Sequence, residues 1–156
     1  VFSSDLVRAR RTAEIIILEK KLAVTTTQAL RERSYGIYEG KPYHVLNQAL
    51  ENLRVSNRHL DKDKQYLLAL PSMEPIESVT GRLITFLREI AVGYPGNTIL
   101  IVCHGGLMRY LLIHLGNATF KTLPPGNISN TGYIQLESDG VDFFVKETKG
   151  IKIISN

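Results

Sequence analysis

An α/β sandwich with a mainly parallel sheet is the fold class this sequence predicts, and three observations predict it. Candidate strands alternate with helical patterns along most of the chain, the arrangement from which parallel sheets are built. The run TILIVC, residues 98–103, is almost continuously apolar, as expected of a strand buried on both faces of such a sheet. Three short loops, SSD at 3–5, RERSYG at 31–36 and CHGG at 103–106, each follow a candidate strand. Ligands of open α/β sheets lie beyond the carboxyl ends of the strands. The three loops therefore point toward one mouth.

Each element has its own justification. Val1-Phe2 reads as the tail of a strand, and Ser3-Ser4-Asp5 as a helix entry whose side-chain oxygens can cap. A helix follows in DLVRARRTAEIIILEKK, with Leu6, Ala9, Ala13, Ile16 and Ile17 on its apolar side and Lys20 and Lys21 near its negative end. VTTTQALRER is short and β-branched, and SYGIYEGKPY is a glycine-containing loop. Residues 43 to 70 read as one or two surface helices, with charges gathered in NRHLDKDKQ. After the proline-marked loop LPSMEP, residues 76–94 form an amphipathic pattern anchored by Ile76, Val79, Leu83, Phe86, Leu87 and Ile90. The turn PGN leads into TILIVC, then GLMRYLLIHLG reads as a helix stopped by Gly116. Residues 132–147 alternate around Asp139-Gly140, a hairpin signal.

Composition narrows the function. The chain has 156 residues, 44% hydrophobic and 22% charged, enough for one domain with a real core. No apolar run approaches the roughly 20 residues of a membrane helix, which argues against a membrane partner. Cys103 is the single cysteine, which rules out an intrachain disulfide and makes a reducing, cytoplasmic setting the default expectation. A net charge of +4 suits anionic ligands. The basic residues are scattered without an aromatic stripe, so a nucleic-acid partner is not expected and a phosphate-sized anion is. The sequence has no HExxH, CxxC, Walker loop or GxSxG. No metal or other cofactor is expected from it.

Three residue types could carry chemistry at the mouth. His104 ends a strand and precedes two glycines and a helix start. Gly105 and Gly106 permit close backbone approach, and the N–H groups of a helix start bind anions. A lone histidine is more often structural, so HGG alone is a weak signal. Arg8 lies one turn into the first helix, where a planar guanidinium can hold two phosphate oxygens; the competing reading is a solvated helix arginine. Glu32 could act as a general acid, kept protonated by an adjacent dianionic phosphate, or could be a surface carboxylate paired with Arg31 or Arg33. Glu39 and Glu77 are alternatives for the acid.

Taken together, SSDLVRARRTAEII, LRERSYGIYEG, ESVTGRLITFL and ILIVCHGGLMRYLL resemble, in order, signature segments of the histidine phosphatase superfamily, the phosphoglycerate mutase-like fold. The resemblance covers nearly the whole chain. It implies a three-layer α/β/α sandwich and a phosphohistidine mechanism without metal. Arg8 then falls on the phosphate-binding arginine, Glu32 on the proton donor and His104 on the second active-site histidine, with Tyr35, Gly105 and Gly106 on the substrate side. It further implies a small phosphorylated metabolite as partner. Residues 41–75 would be a cap or insert within a single domain spanning 1–156, and they contain no readable specificity motif.

The sequence departs from the family pattern at one point. The family's nucleophilic histidine sits in an Arg-His-Gly motif ending the first strand, and no such motif is present; Arg58-His59 is followed by Leu60. The first strand and helix of the family are thus expected upstream of Val1, and 1–156 alone is expected to be inactive. The loop ERSYGIYEG is closer to phosphatase members than the ERHYG of mutases. The expected function is hydrolysis of a phosphomonoester. Phosphoryl transfer of the mutase type and a noncatalytic phosphate-binding module are the alternatives.

Overall fold

The computed structural model describes residues 1–155 and divides into two compact units, Val1–Glu32 with Thr80 onward, and Arg33–Val79. In the first unit, β1 (Phe2–Ser4), β2 (Thr25–Thr27) and β3 (Ile101–Val102) form a parallel sheet in the order β2-β1-β3. Phe2 aligns with Thr25 on one side and Ile101 on the other, and Ser3 with Thr26 and Val102. This register brings the carboxyl ends of all three strands level.

The helix α1 (Val7–Ile16) follows β1 and buries Ala9 and Ala13, small residues that allow close approach. Its entry differs from expectation. Leu6 is the N-cap and has no side-chain bond, whereas Ser4 Oγ accepts from the Leu6 N–H at 3.3 Å in a turn ahead of the helix. The exit differs too. The helix stops at Ile16, which is 56% exposed, and a 3₁₀ turn over Leu18–Lys20 follows. Ile17 is buried instead, because the turn at the C-cap rotates the chain off the helical face. Lys20 and Lys21 consequently lie beyond α1 and not in its last turn.

TILIVC is a much shorter strand than its apolar run suggests. Only Ile101 and Val102 are in strand conformation, and residues 99–103 are half-buried. Within the described residues β3 is an outer strand of this sheet, so its apolar side chains are covered less than those of a central strand. VTTTQALRER resolves into the short β2 and a 3₁₀ turn, Gln28–Leu30, that buries Leu30 completely.

The helix α5 (Gly105–His114) starts at His104 and buries Leu107, Tyr110, Leu111 and Leu112. Leu112 packs with Ala118 and Leu123 and with Ile128, Ile134, Val145 and Ile151 of an antiparallel hairpin. That hairpin is β4 (Ile128–Ser138) with β5 (Phe143–Ile151). Alternation delivers one face of the hairpin to α5. At its tip Asp139 Oδ1 accepts from the N–H groups of Val141 and Asp142, and Gly140 takes φ +96°. Buried Arg109 donates to the carbonyls of Leu123 and Phe120, closing the loop after α5.

In the unit 33–79, where one or two helices are expected, there are two, α2 (Tyr43–Ser56) and α3 (Lys62–Leu67). Asp61 caps α3 by accepting from the Lys64 N–H at 2.9 Å. The loop 33–39 is tied to 72–74: Arg33 Nε donates to the Glu74 carbonyl at 2.7 Å, and the Glu74 N–H to the Ser34 carbonyl at 2.9 Å. Gly36 has φ +56°, and a Cβ there would lie 2.2 Å from the Ser72 carbonyl oxygen, so this position requires glycine. The helix α4 (Ile76–Gly93) runs through the boundary between the units and buries Ile76, Val79, Leu83, Ile84, Leu87 and Ile90. Phe86 is half-buried and meets Phe2 edge-on at 5.6 Å. Among the described residues no helix is long and apolar enough to cross a membrane.

Candidate active site at the carboxyl ends of the parallel strands

The site is a consequence of the sheet register. Ser4 ends β1, and His104 lies two residues beyond β3 on the strand beside it. Their side chains meet: His104 Nε2 and Ser4 Oγ are 2.9 Å apart, both buried. His104 is the only buried histidine of the four; His44, His59 and His114 are exposed. Ser4 thus orients the ring from one side while also receiving the Leu6 N–H. Its partner lies 100 residues away, which is why a local reading of SSD yields only a cap.

Glu32 reaches the same place from the segment after β2. Its Oε2 accepts from the Gly106 N–H at 3.1 Å, in the first turn of α5. That turn carries N–H groups with no partner inside the helix and a partial positive charge, an environment suited to anions. A Cβ on Gly106 would come within 2.3 Å of Glu32 Oε1, so the glycine makes room for the carboxylate. Gly105 is not crowded in this way; a Cβ there would meet Ile128 at an ordinary 3.8 Å. The surface-pair reading of Glu32 does not hold for Arg31, which instead forms a two-point bond with Asp5 at 2.8 and 2.7 Å. Glu39 is engaged elsewhere, accepting from Ser34 Oγ and the Tyr35 N–H within the 33–79 unit. Glu77 is an exposed residue in the first turn of α4, in that unit as well. Tyr35 belongs to it too.

Arg8 is exposed in the first turn of α1, and its guanidinium makes no ion pair among the described residues. Its charge is felt at His104. Burial, then Arg8, then Arg82 push the imidazole down to about 4 from an ordinary 6.5, opposed weakly by Asp5. His104 is therefore neutral at neutral pH, and the positive charge near it is that of the arginines. Neighbouring Cys103 is a protonated thiol, pushed up to about 11 chiefly by burial, and offers no nucleophile. Among the described residues no group of three His, Cys, Asp or Glu side chains is arranged to hold a metal ion.

The His104 shift has a measurable consequence. Its proton affinity is lower folded than unfolded, so the unfolded chain binds more protons between about 6.5 and 4. Stability is expected to fall as pH drops through that window, above the range in which the lowered carboxyls of Asp5, Asp61 and Asp139 protonate. Thermal melting of wild-type and His104→Gln across this range checks it. The wild-type slope should exceed that of the variant, and parallel slopes would contradict the assignment.

Glu32 thus meets the helix start that His104 caps, and the charge of Arg8 is felt beside them. The chain belongs to the histidine phosphatase superfamily (branch 1), whose family model matches residues 1–149. It is 32% identical over 116 residues to an uncharacterized phosphatase, PhoE, of Bacillus subtilis, covering 74% of this chain and 52% of that protein. It is 34% identical over 113 residues to phosphoglycerate mutase-like protein 4 of Arabidopsis thaliana, covering 71% and 47%. The chain thus spans about half the length of these curated relatives. Among solved structures, Bacillus stearothermophilus YhfR superimposes with a TM-score of 0.77 at 25% identity, over 96% of this chain and 72% of that one.

Proposed function

We propose that the protein carrying this chain hydrolyses a small phosphomonoester through a phosphohistidine intermediate. The observation that carries the reading is the meeting of Glu32 with Gly106 at the start of α5, next to His104 and within the field of Arg8. Arg8 binds phosphoryl oxygens, and His104 and the Gly105 N–H donate to them, while the Gly106 N–H holds Glu32. Placing donors where negative charge develops supplies most of the rate in phosphoryl transfer. The nucleophile of the reaction is an imidazole.

The imidazole nitrogen attacks phosphorus, the P–O bond to the leaving group breaks, and Glu32 gives that oxygen its proton. Glu32, now a carboxylate, takes a proton from water. The resulting hydroxide attacks phosphorus, the P–N bond breaks, and inorganic phosphate leaves. No metal enters this scheme. A mutase would return the phosphoryl group to substrate instead, a reading favoured by the name of the Arabidopsis relative and disfavoured by the loop ERSYGIYEG.

The test uses the full-length protein with a generic aryl phosphate in the presence of chelator. Hydrolysis should persist and vanadate should inhibit it. Activity lost to chelation and restored by magnesium or zinc would indicate a different mechanism. Phosphoryl transfer to a phosphoglycerate without net hydrolysis would identify the mutase. Phosphate binding without turnover would identify a noncatalytic module.

A further inference from the structure

The segment 29–32 is short, yet it is held from several directions. Leu30 is fully buried. On one side Arg31 makes its two-point bond to Asp5 at the end of β1. On the other, half-buried Arg82 of α4 donates through Nη1 to the Ala29 carbonyl at 2.7 Å and through Nη2 to the Glu32 carbonyl at 3.3 Å. The first acceptor belongs to the end of a 3₁₀ turn, where carbonyls lack partners along the chain. A planar guanidinium can span two carbonyls at fixed separation, whereas an ammonium cannot reproduce that fork.

We propose that Arg82 is a positioning residue for the acid: from α4 it fixes the backbone of Glu32, so that the carboxylate meets the start of α5. The proposal rests on the reading of Glu32 as proton donor. The two-point bond of Arg31 to Asp5 is exposed, and exposed ion pairs hold geometry weakly. Arg82 is the anchor that binds Glu32 itself. Its bond is to the backbone of the residue whose side chain does the chemistry, so a shift there moves the carboxylate away from Gly106 directly. Displacements on the order of 1 Å cost catalysis heavily.

An acid matters only to a leaving group that needs a proton, and this separates positioning from general structural support. In the full-length protein, kcat/KM is measured for a simple alkyl phosphate and for 2,4-dinitrophenyl phosphate, whose leaving group departs without protonation. Because kcat/KM reports steps only through leaving-group release, the later hydrolysis of the intermediate does not enter. Glu32→Gln should lose about 10²–10⁴ on the alkyl ester and little on the aryl ester. Arg82→Met should show the same pattern with a loss of about tenfold or more on the alkyl ester, and Arg82→Lys should recover part of it. Combined with Glu32→Gln, Arg82→Met should add almost nothing, since both act through one group. If Arg82→Met does not fold by thermal melting, Arg82→Lys alone carries the comparison.

Equal losses on both esters for the Arg82 variants, or fully additive losses in the double variant, would overturn the positioning role while leaving Glu32 as the acid. If Glu32→Gln itself fails to distinguish the two esters, the acid assignment falls and the role of Arg82 falls with it.

Discussion

His104→Ala in the full-length protein is expected to lower kcat by about 10² or more, the scale of losing one donor to a transition state, while the chain still folds. The ring lies buried against Ser4, whose oxygen keeps the Leu6 N–H as a second partner when the imidazole is gone. Because His104 is neutral, its loss removes a hydrogen bond and not a charge, so binding of inorganic phosphate through Arg8 should weaken less than turnover. His59→Ala and His114→Ala are the controls. Both side chains are exposed, and such substitutions ordinarily stay within about 0.5 kcal/mol. Measuring kcat and thermal melting for all three in one buffer decides the matter. Wild-type turnover by His104→Ala, with loss in His59→Ala, would place the site elsewhere.

What the sequence made legible was whatever is local or periodic. The helix at 76–93 follows from apolar spacing, the hairpin from alternation around Asp139-Gly140, and α5 from a glycine pair followed by an apolar face. The loops at the mouth could be placed because parallel strands end on one side. His104 and Glu32 do come to the same helix start, although 72 residues separate them in the chain. Contacts set by strand register were not legible. Ser4 reads as a cap because the cap is a short-range pattern, and its bond to His104 exists only once β1 lies beside β3. Arg82 reads as one polar position on an amphipathic helix, and the carbonyls it binds lie more than 45 residues earlier. Apolar content also misled at TILIVC, since hydrophobicity reports how much a strand can bury and not how many neighbours cover it.

Gly106→Ala is the second large expected effect, and it tests the arrangement without touching any reacting group. The new methyl would lie 2.3 Å from Glu32 Oε1 and 2.9 Å from its carboxyl carbon, both at the far end of a flexible side chain. The chain can relieve this by turning the carboxylate away, and alanine is favoured over glycine within a helix. Stability should therefore change little, in contrast to Gly36→Ala, where a backbone carbonyl blocks the methyl and the required φ is left-handed. The functional cost should be large. With its carboxylate displaced from the start of α5, Glu32 can neither protonate the leaving oxygen nor take a proton from water, a contribution of about 10²–10⁴. In the full-length protein, Gly106→Ala should lose that factor in kcat/KM on an alkyl phosphate while melting near the wild-type temperature. It should keep most of its kcat/KM on a dinitrophenyl ester, where no proton is needed. Full activity on the alkyl ester would mean that the contact between Glu32 and Gly106 is not the working position of the acid. A comparable loss on both esters would mean that the methyl blocks the phosphoryl group itself, placing Gly106 in substrate binding and not in the seating of Glu32.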